Sequence, residues 1–233
     1  MKQVYLPDGS SMPQLGQGTW QMGEDDNKYE REIAGLRHGI ELGMTLIDTA
    51  EMYADGKAEN IAGNAAKPFA RESLYICDKV YPKNADRKHI YSSVERSLKL
   101  LGTDYMDLYL LHWREDADLA EVAYCMEDLK DRGWIRRWGV SNFDVDDMED
   151  LWKVPDGNKC TVNQVLYNLG TRGIAYDLLD WQREKGVPFM DYSPVGQAGA
   201  LTTHDGVPKS VLLSDPHVKA VADRHGISFV QQL

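Results

Sequence analysis

Four side chains of this chain could together move a proton at neutral pH: Asp48, Tyr53, Lys79 and His112. Each stands at or just past the end of a short apolar run, at residues 45–50, 74–80 and 105–113, and runs of this kind form buried strands. A phenol titrates at about 10, too high for ready exchange at neutral pH, and a neighbouring ammonium that stabilises the phenolate brings it closer to range. In that arrangement Tyr53 is the general acid, Asp48 keeps Lys79 in place and charged, and His112 shares the mouth. Later runs end in further polar groups: Ser141 and Asn142, then Gln164 and Asn168, then Tyr192 and Ser193.

Taken singly, each residue has a plainer reading. Asp48 could cap a helix or open a turn, Lys79 could be a solvated strand end, His112 a hydrogen-bonded core histidine and Asn142 a turn residue. A lyase that uses Lys79 as a Schiff base is a further chemistry left open. What favours a shared site is the arrival of these groups at consecutive strand ends.

The elements that must position them alternate. After a hairpin turning at Asp8-Gly9, strands at 15–20, 45–50, 74–80, 105–113, 135–143, 160–167 and 187–192 are separated by helices at about 27–42, 58–66, 86–101, 119–132, 145–152 and 176–185, with a last helix opening at Asp215-Pro216. Gly43, Gly102, Gly133, Gly186 and Gly226 supply helix stops. Seven strand–helix units with no composition shift predict one α/β domain over 1–233, a (β/α)8 TIM-type barrel plugged by the hairpin. An open doubly wound sheet would need a glycine-rich phosphate loop after its first strand, and Thr19-Trp20-Gln21-Met22-Gly23-Glu24 is not one. In a barrel the site gathers at the C-terminal strand ends, where these groups lie.

Composition narrows the partners. With 233 residues, 42% hydrophobic and 27% charged, the chain can build one large core. Its net charge of -11 argues against nucleic acid, whose phosphates call for clustered Lys and Arg. No run is long enough to span a membrane and no signal peptide is evident, so a cytoplasmic location is expected. Cys77, Cys125 and Cys160 are isolated in apolar runs and predict buried free thiols. The six histidines have no zinc-like spacing, so no metal is expected.

The wording of these motifs resembles the aldo-keto reductases over almost the whole chain. Asp48-Thr49-Ala50 with Tyr53, Leu111-His112-Trp113, Gly139 to Phe143 (GVSNF), Asn163 to Asn168 (NQVLYN) and Tyr192-Ser193-Pro194 carry the resemblance. The phrases TLIDTAEMYADG and WGVSN are similar to small bacterial members of the methylglyoxal-reductase or diketogluconate-reductase kind. The resemblance implies NADPH-dependent reduction of a small carbonyl or dicarbonyl by a monomer. Tyr53 would protonate the alkoxide, His112 would orient the carbonyl, and Asp48 and Lys79 would tune Tyr53. It further implies that Ser141, Asn142 and Gln164 hold the carboxamide of the cofactor and that Tyr192 stacks on its ring. Gly18, Thr19 and Trp20 would line the same site, with Trp20 and Trp113 as apolar walls, while Ser193, Val195 and Gln197 approach the pyrophosphate.

Departures from the family pattern set further expectations. An eighth strand, final helices and the 2'-phosphate motif are not found, which leaves NADPH against NADH open and predicts a truncated barrel whose open edges promote self-association. Val207-Pro208-Lys209-Ser210 copies the motif's wording but precedes the helix at Pro216, and reads as coincidence; Ser228 to Gln231 reads as a capping box. A catalytically silent binding protein is the alternative that these losses suggest. Asp78 stands where the family usually has a small or hydroxyl residue and Asp191 where a small apolar one is usual, both facing outward by strand alternation. An unpaired carboxylate there costs roughly several kcal/mol unless it reaches water at the rim or is protonated.

Overall fold

The structure is a computed structural model that describes residues 2–195 and 215–227; Gln197, the segment 207–210 and the segment 228–231 lie outside them. Strands β1 (Gln3–Tyr5) and β2 (Ser11–Pro13) form the hairpin, with Val4 opposite Met12. Seven further strands follow: β3 (Gly16–Gly18), β4 (Leu46–Asp48), β5 (Tyr75–Val80), β6 (Leu108–Leu111), β7 (Trp138–Ser141), β8 (Asn163–Leu166) and β9 (Phe189–Tyr192). They lie in one parallel sheet in chain order, a nearly closed barrel wall. Helices α1 (Tyr29–Glu41), α2 (Lys57–Ala66), α3 (Ile90–Leu101), α4 (Leu119–Asp131), α5 (Val145–Lys153) and α6 (Leu178–Lys185) alternate with the strands, and α7 (Pro216–His225) is the last helix among the described residues. Among the described residues, β3 and β9 each pair with one neighbour only, and a cavity of about 480 Å³ lies between them.

Local chemistry sets the helix ends. The α3 helix begins at Ile90 rather than near 86 because Asp86 Oδ1 accepts the backbone N–H groups of Lys88 and His89, closing a separate turn first. Asp144 and Asp147 form a reciprocal capping box at the start of α5. Gly102 and Gly186 end their helices in the left-handed conformation, with φ of 66° and 72°.

Period-two alternation divides the side chains of each strand between two cores. Tyr75 and Cys77 of β5 and Leu108 and Leu110 of β6 face the barrel interior, where they meet Leu6 and Met12 of the hairpin, so the predicted plug is present. Ile76 and Val80, with Tyr109 and Leu111, face the helices in the larger core. The parity that puts Cys77 inside also puts Lys79 inside and Asp78 outside. Asp191 is exposed and reaches water, as a rim position allows. Asp78 does not, because α2 and α3 close over it and it is 0% exposed. All three cysteines are buried free thiols.

Candidate active site

The inward parity of β4 to β9 delivers Asp48, Lys79, Ser141, Gln164 and Tyr192 to one end of the barrel, and His112 follows β6 in the same phase. Lys79 is fully buried. Its Nζ donates to Asp48 Oδ1 at 2.7 Å and to the Thr49 carbonyl at 2.7 Å. Burial alone would pull this ammonium down, but the Asp48 carboxylate and the neighbouring Tyr53 lift it above its ordinary range. It stays charged, as the sequence reading expects, and sits 5.3 Å from the centroid of the Tyr53 ring.

Tyr53 itself departs from expectation. Burial raises its phenol above 10, and the Lys79 ammonium only partly offsets that rise. The ammonium therefore does not bring the acid into the neutral range here; it limits how far the dry site pushes it up. The phenol keeps its proton at neutral pH, which suits a donor.

His112 is 4% exposed, and its Nδ1 is buried without a hydrogen-bond partner. Burial, with Lys79 nearby, lowers it to about 3, so the imidazole is neutral. Its ring meets Tyr53 edge-on at 5.7 Å and stacks on Trp113 at 3.7 Å with 9° between planes. Trp113 also lines a cavity of about 470 Å³ with Met52, Tyr81, Arg114 and Asn142, placing one of the two expected apolar walls beside open space. Trp20, the other, is 44% exposed.

The expected cofactor residues form a linked set. Ser141 Oγ donates to the Gln164 carbonyl, Asn142 Nδ2 donates to the His112 carbonyl, and Tyr192 donates its hydroxyl to Asn142 Oδ1 at 2.9 Å. Asn142 adopts φ 61°, a left-handed value that Asn tolerates better than most residues. Gln164 Nε2 donates to Asp48 Oδ1 at 3.0 Å, and no bond among the described residues occupies its Oε1. Asn168 Nδ2 donates to the Ser193 carbonyl and anchors the start of the next loop, where Val195 is 43% exposed. Gly18 opens onto the cavity between β3 and β9, which Asp48, Tyr192 and Ser193 also line. A Cβ built at Gly18 would meet nothing within 4 Å. Thr19 is different: it is fully buried, and its hydroxyl and N–H both donate to the Asp48 carbonyl, so it braces the acid from behind.

The sequence reading missed Glu51 and Glu59. Glu51 is 4% exposed and accepts from Tyr81 N–H, Asn84 Nδ2 and Ser93 Oγ, tying the segment that carries Tyr53 to the loop after β5 and to α3. Glu59 lies in α2 in phase with Ala62, Gly63 and Ala66, at i+3, i+4 and i+7, so its burial was readable from helical spacing. Among the described residues no group of three or more His, Cys, Asp or Glu is placed to hold a metal, and no helix is long and apolar enough to cross a membrane.

A barrel that gathers an Asp, Tyr, Lys and His at its C-terminal mouth accords with sequence comparison: residues 14–231 match the aldo/keto reductase family, and the chain belongs to it. It is 49% identical over 232 residues to methylglyoxal reductase YeaE of Escherichia coli K12, covering all of this chain and 79% of that protein. Glyoxal reductase of Bacillus subtilis is 31% identical, over 94% of this chain and 75% of its own length. The crystal structure of an aldo/keto reductase from Klebsiella pneumoniae in complex with NADP and acetate superposes with a TM-score of 0.92 at 45% identity, over all of this chain and 79% of that one.

Proposed function

We propose that this chain reduces a small aldehyde, ketone or dicarbonyl to the alcohol with NADPH, using Tyr53 as the general acid. The observation that carries this reading is the fully buried Lys79, charged by Asp48 and set beside the Tyr53 ring and a neutral His112. The relatives named for methylglyoxal and glyoxal reduction, and the neighbour bound to NADP, support the substrate class and the cofactor.

The residues present fit a nicotinamide. Gln164 has a free amide oxygen, Ser141 and Asn142 add hydroxyl and amide groups, Tyr192 offers a half-buried ring, and the cavity past Gly18 is open. Ser141, Asn142 and Gln164 would hold the carboxamide, Tyr192 the ring, and Ser193 with Val195 and Gln197 the pyrophosphate. When bound, the cofactor supplies a hydride to the carbonyl carbon. Tyr53 gives the proton of its phenol oxygen to the developing alkoxide, and Lys79 stabilises the phenolate left behind. Asp48 keeps that ammonium fixed. His112, being neutral, donates a hydrogen bond to the carbonyl oxygen without delivering a charge, while Trp113 and Met52 shield the cleft from water.

The test is direct. The purified protein should oxidise NADPH only when methylglyoxal, glyoxal or a comparable small carbonyl is added. Absence of turnover with every small carbonyl tried, by a folded protein that binds NADPH, would remove this reading in favour of a silent binding protein.

A further inference from the structure

The outward neighbour of Lys79 is as deeply buried as Lys79 itself. Asp78 is 0% exposed and lies in register opposite Tyr109 on β6, with Glu59 of α2, also 0% exposed, within hydrogen-bond reach of its carboxyl. Neither oxygen of Glu59, nor Oδ2 of Asp78, meets an N–H donor. Two ionised carboxylates are acceptors only and cannot satisfy each other, whereas one proton between them satisfies both. The other groups around the pair are Glu51, Tyr109, Lys79, the Ser97 hydroxyl and Arg96, whose Nη2 is taken up by Asp55. Among the described residues no cation is paired directly with either acid.

The remaining oxygen of Asp78 has a specific task. The ladder between β4 and β5 ends at the Asp48 and Cys77 pair. One step further, the Thr49 carbonyl would ordinarily receive the Lys79 backbone N–H, and it receives the Lys79 ammonium instead. The displaced N–H donates to Asp78 Oδ1 at 2.8 Å. Asp78 thus substitutes for the ladder partner that the side chain of Lys79 has taken, and leaves Thr49 free to hold the ammonium.

We infer that Glu59 and Asp78 share a proton in the wall behind Lys79, and that the pair is a positioning element for the Tyr53 acid. The inference rests on the proposed reductase reading for its kinetic part only. Burial raises both carboxyls above their ordinary range, in keeping with a retained proton; the Glu59 charge adds to the rise at Asp78, whereas at Glu59 the contacts with Ser97 and Asp78 and the Arg96 charge offset part of it and the Glu51 charge adds to it. When alkali removes that proton, two like charges face each other in a dry wall, Asp78 is driven from the Lys79 N–H, and the N–H competes with the ammonium for Thr49.

Three variants and one spectroscopic measurement test this. Infrared difference spectra of the intact protein at neutral pH should show a carboxylic-acid C=O stretch that is absent from Asp78→Asn and from Glu59→Gln. Asp78→Ala, which leaves the Lys79 N–H without an acceptor, should lower kcat at least tenfold with little change in KM. Asp78→Asn, which keeps an amide oxygen for that N–H and gives Glu59 a donor, should rescue kcat to within a few-fold and remove an alkaline fall that the unsubstituted protein shows. Should Asp78→Ala not fold, Glu59→Gln serves alone: it supplies Asp78 with a permanent donor and should likewise remove the alkaline fall. No acid C=O band in the unsubstituted protein, or an unchanged alkaline limb in both amide variants, overturns the inference. An acid band in a protein with no reductase activity at any pH would instead strike the function and leave the shared proton standing.

Discussion

Asp78 and Lys79 are consecutive residues of one strand, equally buried and on opposite sides of the barrel wall, and their charges are handled in opposite ways. Inside, Lys79 meets an opposite charge and two acceptors at 2.7 Å, so the ammonium persists in a dry site. Outside, Asp78 meets a second acid, and the economical state is a proton rather than a charge. Burial favours neutrality in both cases. What separates them is the partner: the barrel interior supplies a fixed carboxylate, while α2 supplies another group that needs a proton. A buried charge therefore marks where the chemistry acts, and the buried proton marks the wall that holds that charge in position.

The largest effect should come from removing the charge that is kept. Lys79→Met takes from the Asp48 carboxyl its cation partner, so stability in a denaturant titration should fall by about 3–5 kcal/mol and turnover should be lost by more than about 10²-fold. Retained stability with lost turnover would mean that Asp48 finds another donor, for which Gln164 is already in place. Next, Tyr53→Phe should reduce kcat by about 10²- to 10⁴-fold while NADPH binding, followed by fluorescence, is preserved.

On the outer side the sign reverses. A carboxyl raised in the folded state contributes fully below its unfolded value of about 3.9, and that contribution is lost as pH rises through the folded value. Asp78→Asn should therefore be no more stable than the unsubstituted protein near pH 3 and more stable at pH 8, by about 1–3 kcal/mol. A different pH effect separates His112 from an ordinary histidine. Its folded value of about 3 lies below the unfolded value of about 6.5, so its contribution to stability is present above about 6.5 and declines as pH falls toward 3, at no more than about 1.4 kcal/mol per pH unit. The rate should accordingly show no step near 6.5. Smallest of all, Arg183→Ala removes one end of an ion pair 76% exposed on both sides and should leave the unfolding midpoint unchanged.

Much of the inner half was legible in the sequence. The ends of consecutive strands named Asp48, Lys79, Ser141, Gln164 and Tyr192, and the order of strands brought them to one mouth. The bond between Gln164 and Asp48 was not legible, because it joins residues 116 apart across the barrel. Nor was the depth of Tyr53, whose burial outweighs the ammonium that spacing placed beside it. On the outer half, alternation turned Asp78 away from the interior but could not tell rim from wall. That depends on how closely α2 approaches, and Gly63 sets the approach: a Cβ there would fall 2.6 Å from the Leu100 carbonyl of α3. Asp191, turned outward by the same parity, is exposed.

The stacked rings of His112 and Trp113 make the active site visible in light. An imidazolium quenches indole emission far more strongly than a neutral imidazole does, and at a 3.7 Å separation the two rings are in contact. The difference in fluorescence between the unsubstituted protein and Trp113→Phe should thus stay level from pH 9 down through the usual histidine range and drop only in strong acid, an optical record of how dry the mouth of the barrel is.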